Sequence, residues 1–250
     1  MEHLSRREML RGSFGLAAAA AVQEPPPVPR RQRIVFVGAH PDDVETCAGG
    51  TVARLSDLGH DVAILYLTRG EVGMRGKSKE EAGSIRSSEA RRACELLKAR
   101  SRFLGQIDGS TEVNPARYDE FRGMLLEERP DLVFTWWPIN SHRDHRAAFT
   151  MVHDAWLKSK RKFTLVHFEL GDTQLFAPTH FVDITEVEPR KRAACFSHTW
   201  YKDRTDLNLW EGVELSHRAR GVQAGCRFAE AFVVHPMNPA TDLGLGSLRK

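Results

Sequence analysis

From Arg33 onward, short runs rich in β-branched residues alternate with amphipathic stretches, the pattern of parallel strands joined by crossover helices. Strands are expected at 34–38, 62–68, 102–104 and 132–135. Between the first two, residues 46–58 place Val52, Leu55 and Leu58 on one helical face, and Gly59 follows as a stop. Residues 84–99 gather Ala90, Ala93, Cys94 and Leu97 in the same way, and 118–128 and 144–158 give two further helices. The alternation then loosens: 163–168 and 180–184 read as strands, 186–200 as a helix and 231–234 as a last short strand. The connection 69–83 holds Gly70, Gly73, Gly76 and Gly83 and is long for a compact domain, so it reads either as a lid or as a solvated loop without a role. This order predicts a single α/β domain over 33–235, Rossmann-like and doubly wound, with a mostly parallel sheet flanked by helices.

Composition adds mainly exclusions. A chain of 250 residues with 41% apolar side chains can bury a sizeable core. Its 36 Lys+Arg against 33 Asp+Glu leave a net charge of +3 with no basic stripe, which argues against a dedicated nucleic-acid binder. No run of about 18 uncharged apolar residues occurs, so no integral membrane segment is expected. Cys47, Cys94, Cys195 and Cys226 lie far apart without a CxxC pair and read as buried free thiols. The first residues are of another kind: Arg6-Arg7 precede a small-residue run from Gly12 to Val22 with AxA-like sites, the layout of a twin-arginine export signal over 1–22. Pro25, Pro26, Pro27 and Pro29 make 23–32 an extended linker, and 236–250 is a carboxyl-terminal tail. Export to the periplasm or beyond is the expected localisation.

The chemistry concentrates at two strand ends. The first strand runs into His40-Pro41-Asp42-Asp43-Val44-Glu45, and the fourth is followed by His142-Arg143-Asp144-His145. In a doubly wound sheet these strands are neighbours where strand order reverses, so both clusters would face one crevice. Two histidines and an aspartate converging there fit a catalytic Zn²⁺ site, which uses three N or O ligands and leaves a position for water. Singly, each piece has a plainer reading, since Asp42 or Asp43 could cap the next helix. Together they are harder to explain as caps, because packed carboxylates are costly without a cation.

Gly38-Ala39-His40-Pro41-Asp42-Asp43-Val44-Glu45 with Gly49-Gly50-Thr51, then Leu67-Thr68-Arg69-Gly70-Glu71, Arg86 with Glu89, the Gly105 to Gly109 stretch, His142 to His145 and the closing Ala229-Glu230-Ala231-Phe232 resemble the LmbE/PIG-L family of zinc-dependent N-deacetylases. The form with Val44 is similar to the branch holding bacillithiol-pathway and related N-acetylglucosamine deacetylases. The resemblance implies His40, Asp43 and His145 as zinc ligands and Asp42 as general base. It also implies His142 as oxyanion stabiliser or acid, with Asp144 as a partner of His142 or His145. Such a reaction asks for a metal, because an amide is a poor electrophile, and for a carboxylate that takes a proton from water. It implies an amino-sugar small molecule or oligosaccharide as substrate and suggests a homo-oligomer.

Departures from the pattern are local. Arg143 stands where the family usually has proline, and Asn140 where some thiol-sugar deacetylases carry a tyrosine that assists the oxyanion. His198 matches the family's last histidine, but Thr199-Trp200-Tyr201 follows it, so it reads either as a pocket residue or as a packed or surface helix residue. Arg69 and Glu71 would line the crevice or pair structurally with Arg86 or Glu89; Asp108 would bond sugar hydroxyls or form a turn; Trp136 and Trp137 would stack on a pyranose or fill the core. Three function classes follow: an N-deacetylase of N-acetylglucosamine-type sugars, a non-catalytic zinc-containing carbohydrate-binding protein, and a nucleotide-binding oxidoreductase. The last lacks GxGxxG and puts carboxylates where a pyrophosphate would lie. A cytoplasmic thiol-glucosaminide is the alternative substrate if the leader does not direct export.

Overall fold

The structure is a computed structural model that describes residues 30–171, 173–199, 201 and 209–238. In chain order it runs β1 (Arg33–Gly38), α1 (Asp43–Asp57), β2 (Asp61–Thr68), α2 (Lys79–Leu97), β3 (Arg100–Gln106), α3 (Pro115–Glu127), β4 (Leu132–Trp136), α4 (Arg143–Lys158), β5 (Thr164–Phe168), β6 (His180–Asp183), α5 (Glu188–Cys195), α6 (Leu209–Ala224) and β7 (Ala229–Val234). The sheet order is β3-β2-β1-β4-β5-β7-β6. The first five strands are parallel, and β7 runs antiparallel between β5 and β6. The chain winds outward through β2 and β3 on one side of β1, then through β4 and β5 on the other. The reversal therefore falls between β1 and β4, where Phe36 pairs with Phe134 and their rings stack at 4.4 Å. Helices cover both faces, so β1, β2, β4 and β5 are apolar nearly throughout rather than alternating.

Local chemistry sets the helix starts. Ser78 caps α2 by accepting from Glu81 N, while Asn114 caps α3 ahead of Pro115, whose missing N–H costs nothing in a first turn. Strand β7 is locked to α1 by the fully buried Glu230. Its carboxylate accepts from the amides of Gly50 and Thr51 at 2.8 and 2.7 Å and from the Thr51 hydroxyl at 2.6 Å, and it pairs with the buried Lys191 at 2.5 Å. Glycine is required at position 50, because a Cβ there would meet the Ile184 side chain at 2.6 Å.

The expected doubly wound α/β domain is what forms, with differences at the edges of elements. Helix α1 begins at Asp43, three residues earlier than its apolar pattern, and so takes the acidic cluster into its first turn. Helix α2 begins at Lys79, which shortens the glycine-rich connection to 69–78. Strand β3 spans Arg100–Gln106 rather than three residues, and α5 is confined to Glu188–Cys195 among the described residues. Helix α6 had no counterpart in the sequence pattern, since only Trp210, His217 and Gly221 are buried on it and no apolar stripe announces it. Cys47, Cys94 and Cys195 are buried free thiols, whereas Cys226 is half-buried. The twin-arginine segment, linker residues 23–29, Trp200 and tail residues 239–250 lie outside the described residues. Among those described, no helix is long and apolar enough to cross a membrane.

Candidate active site

Both acidic-histidine clusters meet at the β1–β4 reversal. Asp42 follows β1 and caps α1 with φ 93°, a left-handed conformation that strains a non-glycine residue by about 1–3 kcal/mol and is characteristic of functional turns. Asp43 Oδ2 accepts from the amides of Ala39 and His40 at 2.7 and 2.8 Å, and Oδ1 lies 3.4 Å from His145 Nε2. His40 Nδ1 is 3.7 Å from Asp43 Oδ2, while its Nε2 faces Asp144 Oδ2 at 3.1 Å and Asp108 Oδ1 at 3.2 Å. His145 turns Nδ1 to Asn140 Oδ1 at 3.0 Å and stacks flat on the buried Trp136, centroids 3.7 Å apart. His142 caps α4: its Nδ1 accepts from Asp144 N at 3.2 Å, which places the proton of a neutral ring on Nε2.

The donor set suits a divalent cation. His40 and His145 each commit one ring nitrogen to a carboxylate or amide oxygen, leaving His40 Nδ1 and His145 Nε2 on either side of Asp43, the arrangement that metal-ligating histidines adopt. Ligand atoms of His40, His142 and His145 also lie within 4.8 Å of one another, as do those of His40, Asp108 and Asp144. Asp43 belongs to neither trio but touches both His40 and His145, so it joins the two clusters.

Charge is unevenly shared. Burial works against a charged His40, but hydrogen bonds to Asp108, Asp144 and Asp43 outweigh it and raise its pKa well above the ordinary value. Burial also works to raise Asp43, yet His145 and His40 bring it well below the carboxylate range. Asp42 moves the other way: burial raises its pKa, and Arg86, whose Nη2 is 3.0 Å from Asp42 Oδ2, only partly offsets this. His142 is lowered by burial and by the neighbouring His40 and His145. Arg86 is anchored by the carbonyls of Pro41 and Gly70 at 2.6 and 3.3 Å. A Cβ at Gly70 or Gly73 would crowd the Arg86 guanidinium, and Gly70 also takes a positive φ that favours glycine.

The placement expected for Asp144 needs correction, and for His198, Arg69, Glu71 and Trp137 the structure favours the packing or pairing reading over the pocket one. The Asp144 carboxylate does not partner His142 or His145; it holds His40 and is itself fixed by Thr111 Oγ1 at 2.6 Å and Gly109 N at 2.7 Å. Asn140, at the position where some relatives carry a tyrosine, is engaged by His145, His142 and Thr173. Its Oδ1 receives His145 and the amide of His142, and its Nδ2 faces Thr173 at 3.4 Å. His198 is fully buried against Glu45, which also accepts from Tyr66, and it is not part of the cavity wall. Arg69 pairs with Glu80 and Glu71, and Glu71 receives the amide of Asp108 at 3.3 Å; neither lines the cavity. Trp137 donates its indole N–H to Gln174 O and packs edge-on against His167 and Phe176 rather than facing the site. Asp108 does line the cavity beside His40.

That cavity, about 680 Å³, opens from His40, Asp42, Asp43 and His142 to a wall supplied by α6. Leu209, Gly212, Val213, Ser216, His217 and Arg220 face it, spaced as one side of a helix. Sequence reasoning missed this wall because its residues alternate apolar, small and polar. Fold and site together define an α/β protein with a histidine–carboxylate cluster that could hold a metal ion at the switch point of its sheet.

Residues 35–156 match the model of the PIG-L family, described as GlcNAc-PI de-N-acetylase. Diacetylchitobiose deacetylase of Thermococcus kodakarensis is 29% identical over 219 residues, covering 80% of this chain and 81% of that one. A 1D-myo-inositol 2-acetamido-2-deoxy-alpha-D-glucopyranoside deacetylase of Corynebacterium diphtheriae is 28% identical over 48% of this chain and 51% of its own. Among solved structures, N,N'-diacetylchitobiose deacetylase from Pyrococcus horikoshii superposes with a TM-score of 0.73 at 24% identity, covering 87% of this chain and 90% of that one. Residues 35–156 of the chain thus resemble the PIG-L family, and the chain as a whole is similar to sugar N-deacetylases.

Proposed function

We propose that this protein is a zinc-dependent hydrolase that removes the N-acetyl group from an N-acetylglucosamine-type sugar or glucosaminide, releasing acetate and a free amine. The observation that carries the reading is Asp43 in contact with both His40 and His145, from two segments far apart in the chain, with Asp42 and His142 in the same cavity. His40, Asp43 and His145 would hold the ion. When bound, zinc polarises the amide carbonyl and lowers the pKa of water toward about 7. Asp42, adjacent to Asp43 but with separate contacts, takes the proton of the attacking water and returns it to the departing amine; its raised pKa suits that role. His142, neutral with its proton on Nε2, donates to the oxyanion. Asp108 is placed to bind sugar hydroxyls at the rim of the cluster.

The test is release of acetate and amine from N-acetylglucosamine and chitobiose derivatives by protein stripped with a chelator and then reloaded. Activity that follows zinc content is expected; metal-free protein that hydrolyses equally well would overturn the reading. Export by the twin-arginine route belongs to the same proposal and is supported by Arg6-Arg7 and the alanine run. Replacing both arginines with lysine should retain full-length protein in the cytoplasm. Unprocessed native protein found wholly there would favour an intracellular thiol-glucosaminide instead.

A further inference from the structure

The proposed reaction concerns the acetamido sugar; what the sugar is attached to is a separate question that rests on that reading. One acetamidopyranose fills roughly 200–300 Å³ at interior packing density. The cavity of about 680 Å³ therefore has room for a second unit in continuity with the catalytic cluster. Leu209 and Val213 on α6, Leu170 after β5 and Tyr201 line it with half-buried apolar surface.

The charges that line the same space are spoken for. Its cationic Arg or Lys side chains among the described residues are Arg86 and Arg220. Arg86 is held by Asp42 at 3.0 Å, and Arg220 makes a two-pronged pair with Glu169 at 2.6 and 2.8 Å. Asp42, Asp43, Asp108, Glu169 and Glu230 line the cavity too, so among the described residues an anion entering it meets carboxylates and no spare guanidinium. His217 offers no positive charge either, because burial and the neighbouring Lys191 keep its pKa well below the ordinary value.

We propose that the cavity selects N-acetylglucosaminides whose aglycone is uncharged and apolar, lying along Leu209 and Val213 of α6 and against Leu170, and that it rejects acidic aglycones. Burial of an alkyl chain on this wall adds binding energy that the free sugar cannot gain. The Glu169–Arg220 pair sets the sign of the selection, since it neutralises the guanidinium nearest this wall.

The test compares kcat/KM of the zinc-loaded full chain for N-acetylglucosamine, its octyl glycoside and its malate glycoside. The octyl glycoside should exceed the free sugar by about tenfold or more, chiefly through KM, with the malate glycoside at or below the free sugar. Val213→Asp should lower the octyl-to-free-sugar ratio about tenfold, and the milder Val213→Ser should lower it in the same direction. Glu169→Gln, which frees Arg220, should move the ratio toward the malate glycoside. A malate glycoside preferred over the octyl one, or an octyl ratio that neither Val213 variant moves, would overturn the proposal. If no glycoside is hydrolysed, the deacetylase reading falls by itself; calorimetric titration with the octyl and malate glycosides then decides the aglycone preference, tighter octyl binding supporting it and equal or tighter malate binding sinking it.

Discussion

His40, His142 and His145 crowd together at the carboxyl ends of β1 and β4, with ring centroids 4.7–5.5 Å apart. His153, His167 and His235 crowd together around α4, β5 and the residue after β7, at 5.7 and 6.1 Å. The first group lies among Asp43, Asp108 and Asp144, and hydrogen bonds to them raise His40 well above its ordinary pKa despite burial. The second packs against Phe149 and Trp156 instead. There burial pushes His167 down to about 4, with only a bond to Trp136 O opposing, and it lowers His153 and His235 as well. Clustered imidazoles alone make a neutral, packed wall; carboxylates turn the same residue type into a seat for a cation.

The sharpest way to break this contrast is to remove a histidine from the acidic group. His145→Ala should abolish metal retention and reduce activity on the order of 10³-fold or more, since two protein ligands cannot hold the ion against water. Metal analysis beside the acetate assay checks this, and a metallated, active variant would remove His145 from the ligand set. Asp42→Asn should lower kcat by about 10²–10⁴-fold while zinc content stays near normal. Collapse of zinc content in that variant would exchange the roles of Asp42 and Asp43.

The apolar group predicts a pH effect on stability rather than on the metal. His167 has a folded pKa of about 4 against about 6.5 unfolded. A base with a depressed folded pKa binds more protons when unfolded, so its contribution is intact above about pH 6.5 and is lost as pH falls toward 4. The loss is about 3 kcal/mol for this buried ring. Urea midpoints between pH 7 and 4.5 should fall less steeply for His167→Phe than for the native chain; parallel slopes would show that His167 is not held neutral. The smallest effect is expected at Asp144→Asn, which keeps the shape but weakens the carboxylate behind His40. Zinc affinity should drop about 10–100-fold, read by competition with a chelator.

The strands were legible because parallel strands covered on both faces appear as uninterrupted apolar runs, and β1, β2, β4 and β5 are such runs. The acidic-histidine cluster was legible because it sits at strand ends that the winding order brings together, and because its residues carry a strong family resemblance. The Asp144 carboxylate was assigned to the wrong ring. Which ring a carboxylate meets depends on side-chain direction across the crevice, which spacing along one segment does not encode. Helix α6 was not legible at all, since its cavity-facing side mixes Leu209, Gly212, Ser216 and Arg220 and has no periodic apolar signal.

By itself, then, the sequence determined the layered α/β fold and the inventory of groups for metal and proton chemistry. Local propensity, apolar patterning and residue type act along the chain and can be read there. Tertiary structure alone decided the partners: Asp144 on His40, Arg86 on Asp42, Glu230 in the middle of α1 with Lys191, and Glu169 on Arg220. Each joins groups from separate elements, and a buried charge has to find its counter-charge wherever packing places one.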